Sequence, residues 1–248
     1  MDQVLLITGG GRGIGAATAL LAAKRGYAVA VNYASNSLAA DEVVRAIRVG
    51  GGTAVAVQAD VGDEAQVAAM FQKVDARLGR LTALVNNAGV VDVQARVDEM
   101  SVARLERMFR TNVIGSFICA REAVRRMSTR YGGAGGAIVN VSSAAARLGS
   151  PGQYVDYAAS KGAIDTFTIG LAKEVGAEGI RVNAVRPGLI DTEIHASGGM
   201  PDRAFELAPT VPMQRTGSAD EIAGAILWLL SEEASYTTMA LLDVTGGR

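Results

Sequence analysis

The stretch Val4-Leu5-Leu6-Ile7-Thr8-Gly9-Gly10-Gly11-Arg12-Gly13-Ile14-Gly15 decides the fold. Its first half is uniformly apolar, the pattern of a strand covered on both faces rather than one that alternates between core and water. Its second half is rich in glycine and leads into a helical stretch from about Ile14 to Arg25, which Gly26 stops. A buried strand, a turn poor in Cβ atoms and a helix form the opening unit of a doubly wound parallel sheet. The turn also suits a chemical task. Backbone at Gly9, Gly13 and Gly15 can come close to a phosphate at a helix N-terminus, where free N–H groups and the dipole favour anions. Glycine turns also follow first strands without any ligand, so this one fixes the fold and only suggests the chemistry.

The same rhythm continues outward. Apolar runs at 27–32, 53–58, 81–86, 137–142, 180–185 and 240–244 read as six further strands, and helical stretches at 38–49, 63–78, 100–127, 157–176 and 219–230 separate or follow them. No linker, repeat or low-complexity tract interrupts the pattern. It predicts one α/β domain over 1–248, a Rossmann-type doubly wound parallel sheet of about seven strands with helices on both faces. Residues 189–212, with Gly198, Gly199, Pro201, Pro209 and Pro212, form a long irregular segment after a strand's carboxyl end. That is the side where open α/β sheets bind ligands, and the segment reads as a substrate lid.

Composition narrows the function classes. Hydrophobic residues make up 49% of the 248, charged residues 20%, and the formal net charge is -1, so nothing offers a basic footprint to nucleic acid or an anionic membrane. One cysteine, Cys119, excludes an intrachain disulfide, fits a reducing compartment and sits in an apolar run that reads as core. One histidine, His195, leaves no metal-ligand spacing. No apolar run reaches the ~18 residues of a membrane helix. With a strand starting almost at once and no leader before it, a cytoplasmic protein is the expectation.

Chemistry enters at Tyr157-Ala158-Ala159-Ser160-Lys161. Positions i and i+4 share one helix face, so the Lys161 ammonium can favour a Tyr157 phenolate. A free tyrosine titrates near ~10, too high for neutral acid–base work, and a nearby cation lowers it. Tyr-x-x-x-Lys occurs by chance in many helices. Here it accompanies Ser143, fourteen residues earlier, and the glycine turn. Further small or polar residues stand at carboxyl ends of strands: Asp60-Val61, Asn86-Asn87-Ala88-Gly89 and Pro187-Gly188. One extended ligand could touch all of them.

On these motifs, with Asn112, the whole chain resembles the classical short-chain dehydrogenase/reductase family. Within it the sequence is most similar to bacterial glucose-1-dehydrogenase-like oxidoreductases and, more distantly, to 3-oxoacyl-acyl-carrier-protein reductases. The resemblance implies hydride transfer between a nicotinamide cofactor and a small carbonyl compound or its alcohol. It implies Tyr157 as general acid/base, Lys161 as the cation that lowers its pKa and binds ribose, Ser143 as the group holding the substrate oxygen, and Asn112 as holder of a water reaching Lys161. It also implies a homotetramer. Ser142 competes with Ser143, because one extra residue near Gln153-Tyr154-Val155-Asp156 lengthens the usual spacing.

The cofactor contacts expected are Gly9, Arg12, Gly13, Ile14, Gly15, Asn32, Tyr33, Ser35, Asp60, Val61, Asn87, Ala88, Gly89, Tyr157, Lys161, Pro187, Gly188, Ile190 and Thr192. No acid closes the second strand at Val31-Asn32-Tyr33-Ala34-Ser35 to repel a 2′-phosphate, and Arg12 offers it a cation. NADP(H) is therefore expected in preference to NAD(H). Ala144, Ala145, Tyr154, Leu189, His195 and Met200 are expected around the substrate. Glu178, where carrier-protein reductases have a base, argues against a carrier-bound substrate. Two other readings are a non-catalytic dinucleotide sensor of the same fold, and an epimerase or dehydratase, whose relatives are longer. Relatives also carry Thr-Gly before the last strand, where this chain has Thr238-Met239.

Overall fold

The computed structural model describes residues 3–200 and 202–248; of these, the side chains of Ile194 and His195 are excluded, so the expectation placed on His195, and that on Pro201, lie outside the described residues. Seven strands form one sheet: β1 Gln3–Ile7, β2 Tyr27–Tyr33, β3 Ala54–Gln58, β4 Ala83–Asn86, β5 Gly136–Val141, β6 Ile180–Pro187 and β7 Leu241–Val244. All pair in parallel, in the order β3-β2-β1-β4-β5-β6-β7. The chain winds outward from β1 in one direction and then, from β4, in the other. The carboxyl ends of β1 and β4 consequently diverge into a crevice, the switch point where such sheets take ligands.

Successive residues of β1 divide the core. Leu5 and Ile7 join one apolar cluster with Val29, Val139, Ile222 and Ile226; Val4 and Leu6 join the other with Met70, Phe71, Ile138 and Val182. Helices α1 Gly13–Lys24, α2 Ser37–Val49 and α10 Ala219–Leu230 cover the first face. Helices α3 Glu64–Leu78, α5 Gly115–Met127 and α7 Val155–Val175 cover the second. Cys119 lies in this second core, where burial, with Glu122 nearby, pushes its thiol up to about 12 and leaves it unreactive.

Three expectations change. The single helix read at 100–127 is α4 Val102–Phe109, one π turn at Arg110–Ile114, and α5. The π turn inserts an extra residue and contains Asn112. The segment 189–212 is not irregular throughout: it carries α8 Ile194–Ser197, α9 Arg203–Leu207 and a short turn at Ala208–Thr210, while α6 Ala145–Leu148 lies across the crevice before α7. Finally, α7 is apolar nearly all round yet not buried all round. Ala159 and Gly170 are exposed, and a Cβ at Gly162 would meet nothing within 4 Å.

Candidate active site

The glycine turn is built against β4. Thr8 Oγ1 accepts the backbone N–H groups of Asn87 and Ala88, both at 3.0 Å, and Asn87 Nδ2 donates to the carbonyls of Thr8 and Gly9 at 2.9 and 3.0 Å. Gly9 takes φ +61°, and a Cβ on Gly15 would lie 2.4 Å from the Gly9 carbonyl oxygen and 2.6 Å from Asn87 Nδ2. Only glycine fits there. Arg12 precedes α1 without a side-chain cap, and no acid occupies the first helical turn, so the leading N–H groups remain open to an anion.

At the end of β2 the structure corrects one expectation. Asn32 lines the crevice, but its residue is 1% exposed and Nδ2 donates inward to the carbonyls of Val57 and Ala59 at 3.2 and 3.0 Å. Its Oδ1 accepts the Gly9 N–H at 3.1 Å. Asn32 thus braces the turn and has no donor left for a phosphate. Tyr33, Ser35 and the exposed Arg12 still line the crevice. Asp60 stands across from them, one carboxylate oxygen accepting from Gly62 N at 2.9 Å, beside the buried Val61.

The tyrosine end is held by α7. A buried chain of hydrogen bonds runs from Asn86 Nδ2 to Asn140 Oδ1 and from Asn140 Nδ2 to Thr168 Oγ1, each 2.9 Å, tying β4, β5 and α7 together. Ser142 and Ser143 separate cleanly. Ser142 is buried and donates to the Lys161 carbonyl at 3.2 Å, whereas the Ser143 side chain hydrogen bonds the Tyr157 phenol. Lys161 is 5% exposed; its Nζ donates to the Val141 carbonyl at 2.7 Å and lies 5.6 Å from the centre of the Tyr157 ring.

The electrostatics differ from the expectation. Burial raises the Tyr157 pKa, and the groups that pull it back are the Ser143 hydrogen bond and then the charge of Arg203, rather than Lys161. Burial lowers Lys161 itself to about 8, against the pull of Asp165. Asn112 also does something other than expected with its side chain. Oδ1 accepts from Val90 N at 2.8 Å, while Nδ2 donates to the Val90 carbonyl at 3.0 Å and Ser160 Oγ at 3.1 Å. It joins the segment after Gly89 to α7, with both amide hydrogens engaged and one lone pair of Oδ1 left free. A Cβ on Gly89 would lie 3.5 Å from Asn112 Oδ1 and 3.6 Å from Lys161 Nζ, so the chain passes close beside the lysine.

The lid is fastened at several points. Tyr154 Oη meets the Gly198 carbonyl at 3.5 Å, Gln94 Nε2 meets Met200 Sδ, and Arg203 Nη2 donates to Gln153 Oε1 at 2.9 Å. At its start, Pro187 pairs with Val244, Gly188 packs on Thr245, Ile190 bridges to Gly217, and Thr192 faces Gly13.

One cavity of about 1120 Å³ runs along these elements. Every residue expected from sequence to hold a cofactor or to react lines it, except Gly15, which packs beneath the turn, and Asn112, which works from behind Gly89. Ala144, Ala145, Tyr154 and Leu189 line it too; Met200 does not. Sequence reasoning missed Arg203 and Arg248, also on its wall. An open helix N-terminus, a turn that a Cβ would fill and a crevice crossing the strand ends fit a dinucleotide. Among the described residues no group of three His, Cys, Asp or Glu could hold a metal, and no helix is long and apolar enough to cross a membrane.

Comparison with known proteins agrees. Residues 9–248 match the family model described as enoyl-(acyl carrier protein) reductase. The chain is 58% identical over 245 residues to the uncharacterised oxidoreductase YgfF of Escherichia coli, covering 99% of each. Among solved structures it is similar to a short-chain dehydrogenase/reductase from Serratia marcescens, with a TM-score of 0.91 and 35% identity over 99% of this chain and 97% of that one. It is also similar to a metagenomic blue fluorescent protein in complex with NADPH, with a TM-score of 0.90 and 34% identity over 99% and 97%.

Proposed function

Since the chain belongs to the short-chain dehydrogenase/reductase family and is an oxidoreductase of alcohol and carbonyl groups, we propose that it interconverts a small carbonyl compound and its alcohol with NADP(H), using Tyr157 as the general acid/base. The observation that carries this reading is the hydrogen bond between Ser143 and the Tyr157 phenol, with Lys161 5.6 Å from the ring, on the wall that the glycine turn also lines.

The cofactor, when bound, supplies the hydride to the carbonyl carbon or accepts it from the alcohol. The glycine turn and the leading N–H groups of α1 would hold its phosphates. Asp60 and Val61 would flank the adenine, Asn87, Ala88 and Gly89 the middle, and Pro187, Gly188, Ile190 and Thr192 the nicotinamide end. Ser143 donates to the substrate oxygen and steadies charge as it develops. Tyr157 delivers the proton in reduction and removes it in oxidation. Lys161 is poised near neutrality, at about 8, and can take part in returning that proton from the cavity. Asn112 is a positioning residue that holds the segment at Val90 against α7.

Preference for NADP(H) rests on Arg12 and Ser35 beside a β2 end that lacks an acid, and a similar protein binds NADPH. Glu178, an acid where carrier-protein reductases have a base, engages Ser128 and Arg130, which favours a free small substrate. The exposed Val102, Phe109, Ile114 and Phe117, with Phe117 stacked on Phe167 at 3.8 Å, favour assembly, as a homotetramer, through α4, α5 and α7. Light scattering at four chain masses would support this, and one chain mass would contradict it. The single buried cysteine fits a cytoplasmic setting.

The function is tested by titrating NADPH and NADH, then following nicotinamide absorbance with a panel of ketones, aldehydes and sugars. Tighter NADPH binding with its oxidation by some panel member is expected. Binding without turnover across the panel would favour a dinucleotide sensor instead.

A further inference from the structure

The cavity wall beyond Tyr157 carries two cations that no reading of the reaction above uses. Arg203, from α9, is half-buried, lies with its guanidinium 5.4 Å from the Tyr154 ring centre and donates to the neutral Gln153 at 2.9 Å. Arg248 lines the same wall, and its Nη1 is buried without a hydrogen-bond partner among the described residues. The two guanidinium charges are close enough to act on one another, and that of Arg203 acts on the Tyr157 phenol.

Arginines elsewhere in the fold have their guanidinium groups satisfied, Arg181 by the backbone carbonyls of Leu229, Leu230 and Ser231 and two others by acids. Arg104 meets Asp156 at 2.7 Å, and Arg186 meets Asp165 at 2.8 Å. Among the described residues, Arg203 and Arg248 have no carboxylate within ion-pair distance. Glu193, the acid on this cavity nearest in sequence, is turned to the glycine turn, where its Oε2 would be 3.5 Å from a Cβ on Gly13. Arg107 is already paired with Asp92. Desolvated like charges without an acid are unfavourable, and burial does lower the affinity of Arg203 for its proton. A planar, forked donor set of this kind matches a carboxylate.

We propose that the substrate is a carbonyl compound bearing a carboxylate, which Arg203 and Arg248 hold while its carbonyl oxygen faces Ser143 and Tyr157. This deepens the oxidoreductase reading and rests on it. The carboxylate supplies the counter-charge the wall lacks and orients the reacting carbon. It takes no part in the redox step: one hydride and one proton still convert the carbonyl to the alcohol.

The test uses the full chain with NADPH and a series of oxo acids, from 2-oxopropanoate to 5-oxohexanoate, each paired with its methyl ester. For the acid of fitting length, kcat/KM is expected to exceed that of its ester by at least about tenfold. Arg203→Met should bring that ratio to within about twofold, a change that a merely structural arginine would not produce; Arg248→Met provides a second variant should the first fail to fold. Esters used as well as acids, or a ratio untouched in both variants, would overturn the proposal. If nothing turns over, calorimetry with the saturated carboxylates propanoate to hexanoate, on protein saturated with NADP+, decides separately. Binding by wild type that Arg203→Met loses would keep the anion site and count against the oxidoreductase reading. No binding by wild type would overturn the anion site.

Discussion

Arg104 grips Asp156 with two hydrogen bonds, 2.7 Å from Nε and 3.2 Å from Nη2, where the two side chains are 8% and 1% exposed. Asp156 Oδ1 also accepts the N–H of Tyr157 at 2.9 Å, and Arg104 Nη1 donates to the Val93 carbonyl at 2.7 Å. The pair therefore anchors α4, the segment after β4 and the first turn of α7 at the tyrosine itself. Removing one partner strands a buried charge. Asp156→Ala should cost about 3–5 kcal/mol in denaturant unfolding, whereas joint replacement by Met and Leu should cost much less. Equal losses in single and joint variants would show that the pair carries no such charge coupling.

Lys161 gives a pH signature. Its folded-state pKa is depressed from 10.5 to about 8 by burial. Below about 8 both native and unfolded chains bind the proton, and the full cost of burying it stands. Between about 8 and 10.5 only the unfolded chain binds it, so stability rises with pH; above that range the contribution is constant. The stability of Lys161→Met relative to wild type should thus be greatest below pH 8 and shrink by up to about 3 kcal/mol as pH rises through the window. A difference independent of pH would contradict a depressed Lys161.

Cofactor choice should respond at Tyr33 rather than Asn32. Asn32→Asp would set a carboxylate against the carbonyls of Val57 and Ala59 and should mainly destabilise the protein. Tyr33→Asp, at the half-buried end of β2 on the cavity wall, should shift the NADPH to NADH preference by about tenfold or more toward NADH. Arg12→Gln should weaken NADPH without weakening NADH. Titration of both cofactors checks this, and unchanged ratios in both variants would place the 2′-phosphate elsewhere.

Met239 occupies φ +66°, a left-handed conformation that costs a side chain with a Cβ. Its backbone N–H still donates to Val182 O at 2.7 Å, and Thr238 Oγ1 accepts from Val182 N at 3.1 Å, so the turn keeps its hydrogen bonds and only the residue is unfavourable. Met239→Gly should stabilise by about 0.5–1 kcal/mol, read as a rise of a few degrees in Tm. A fall in Tm would mean that the half-exposed methionine side chain contributes more packing than its backbone costs.

Much of this was legible in the residues. Continuous apolar runs and helical stretches between them mark the seven strands and their order of appearance, and Tyr157, Lys161 and the glycine turn stand out because they occur together with Ser143 and the residues at the strand ends. The π turn at Arg110–Ile114 has no compositional mark, so it was hidden inside one long helical stretch. Asn32 and Asn112 stand where sequence places them, but what their amides touch depends on segments 25 and 22 residues away. Arg104 and Asp156 meet across 52 positions, and Arg203 reaches Gln153 across 50. Such pairings follow from the assembled sheet and the folded segment after β6, not from any local pattern.

The most direct measurement of the central claim compares wild type with Tyr157→Phe on NADPH binding and on NADPH oxidation by the best carbonyl of the panel. The change removes one hydroxyl and keeps the ring, so NADPH affinity should stay within about twofold while turnover falls by about a hundredfold or more. Turnover retained within a few-fold, with NADPH still bound, would contradict Tyr157 as the proton-transferring group.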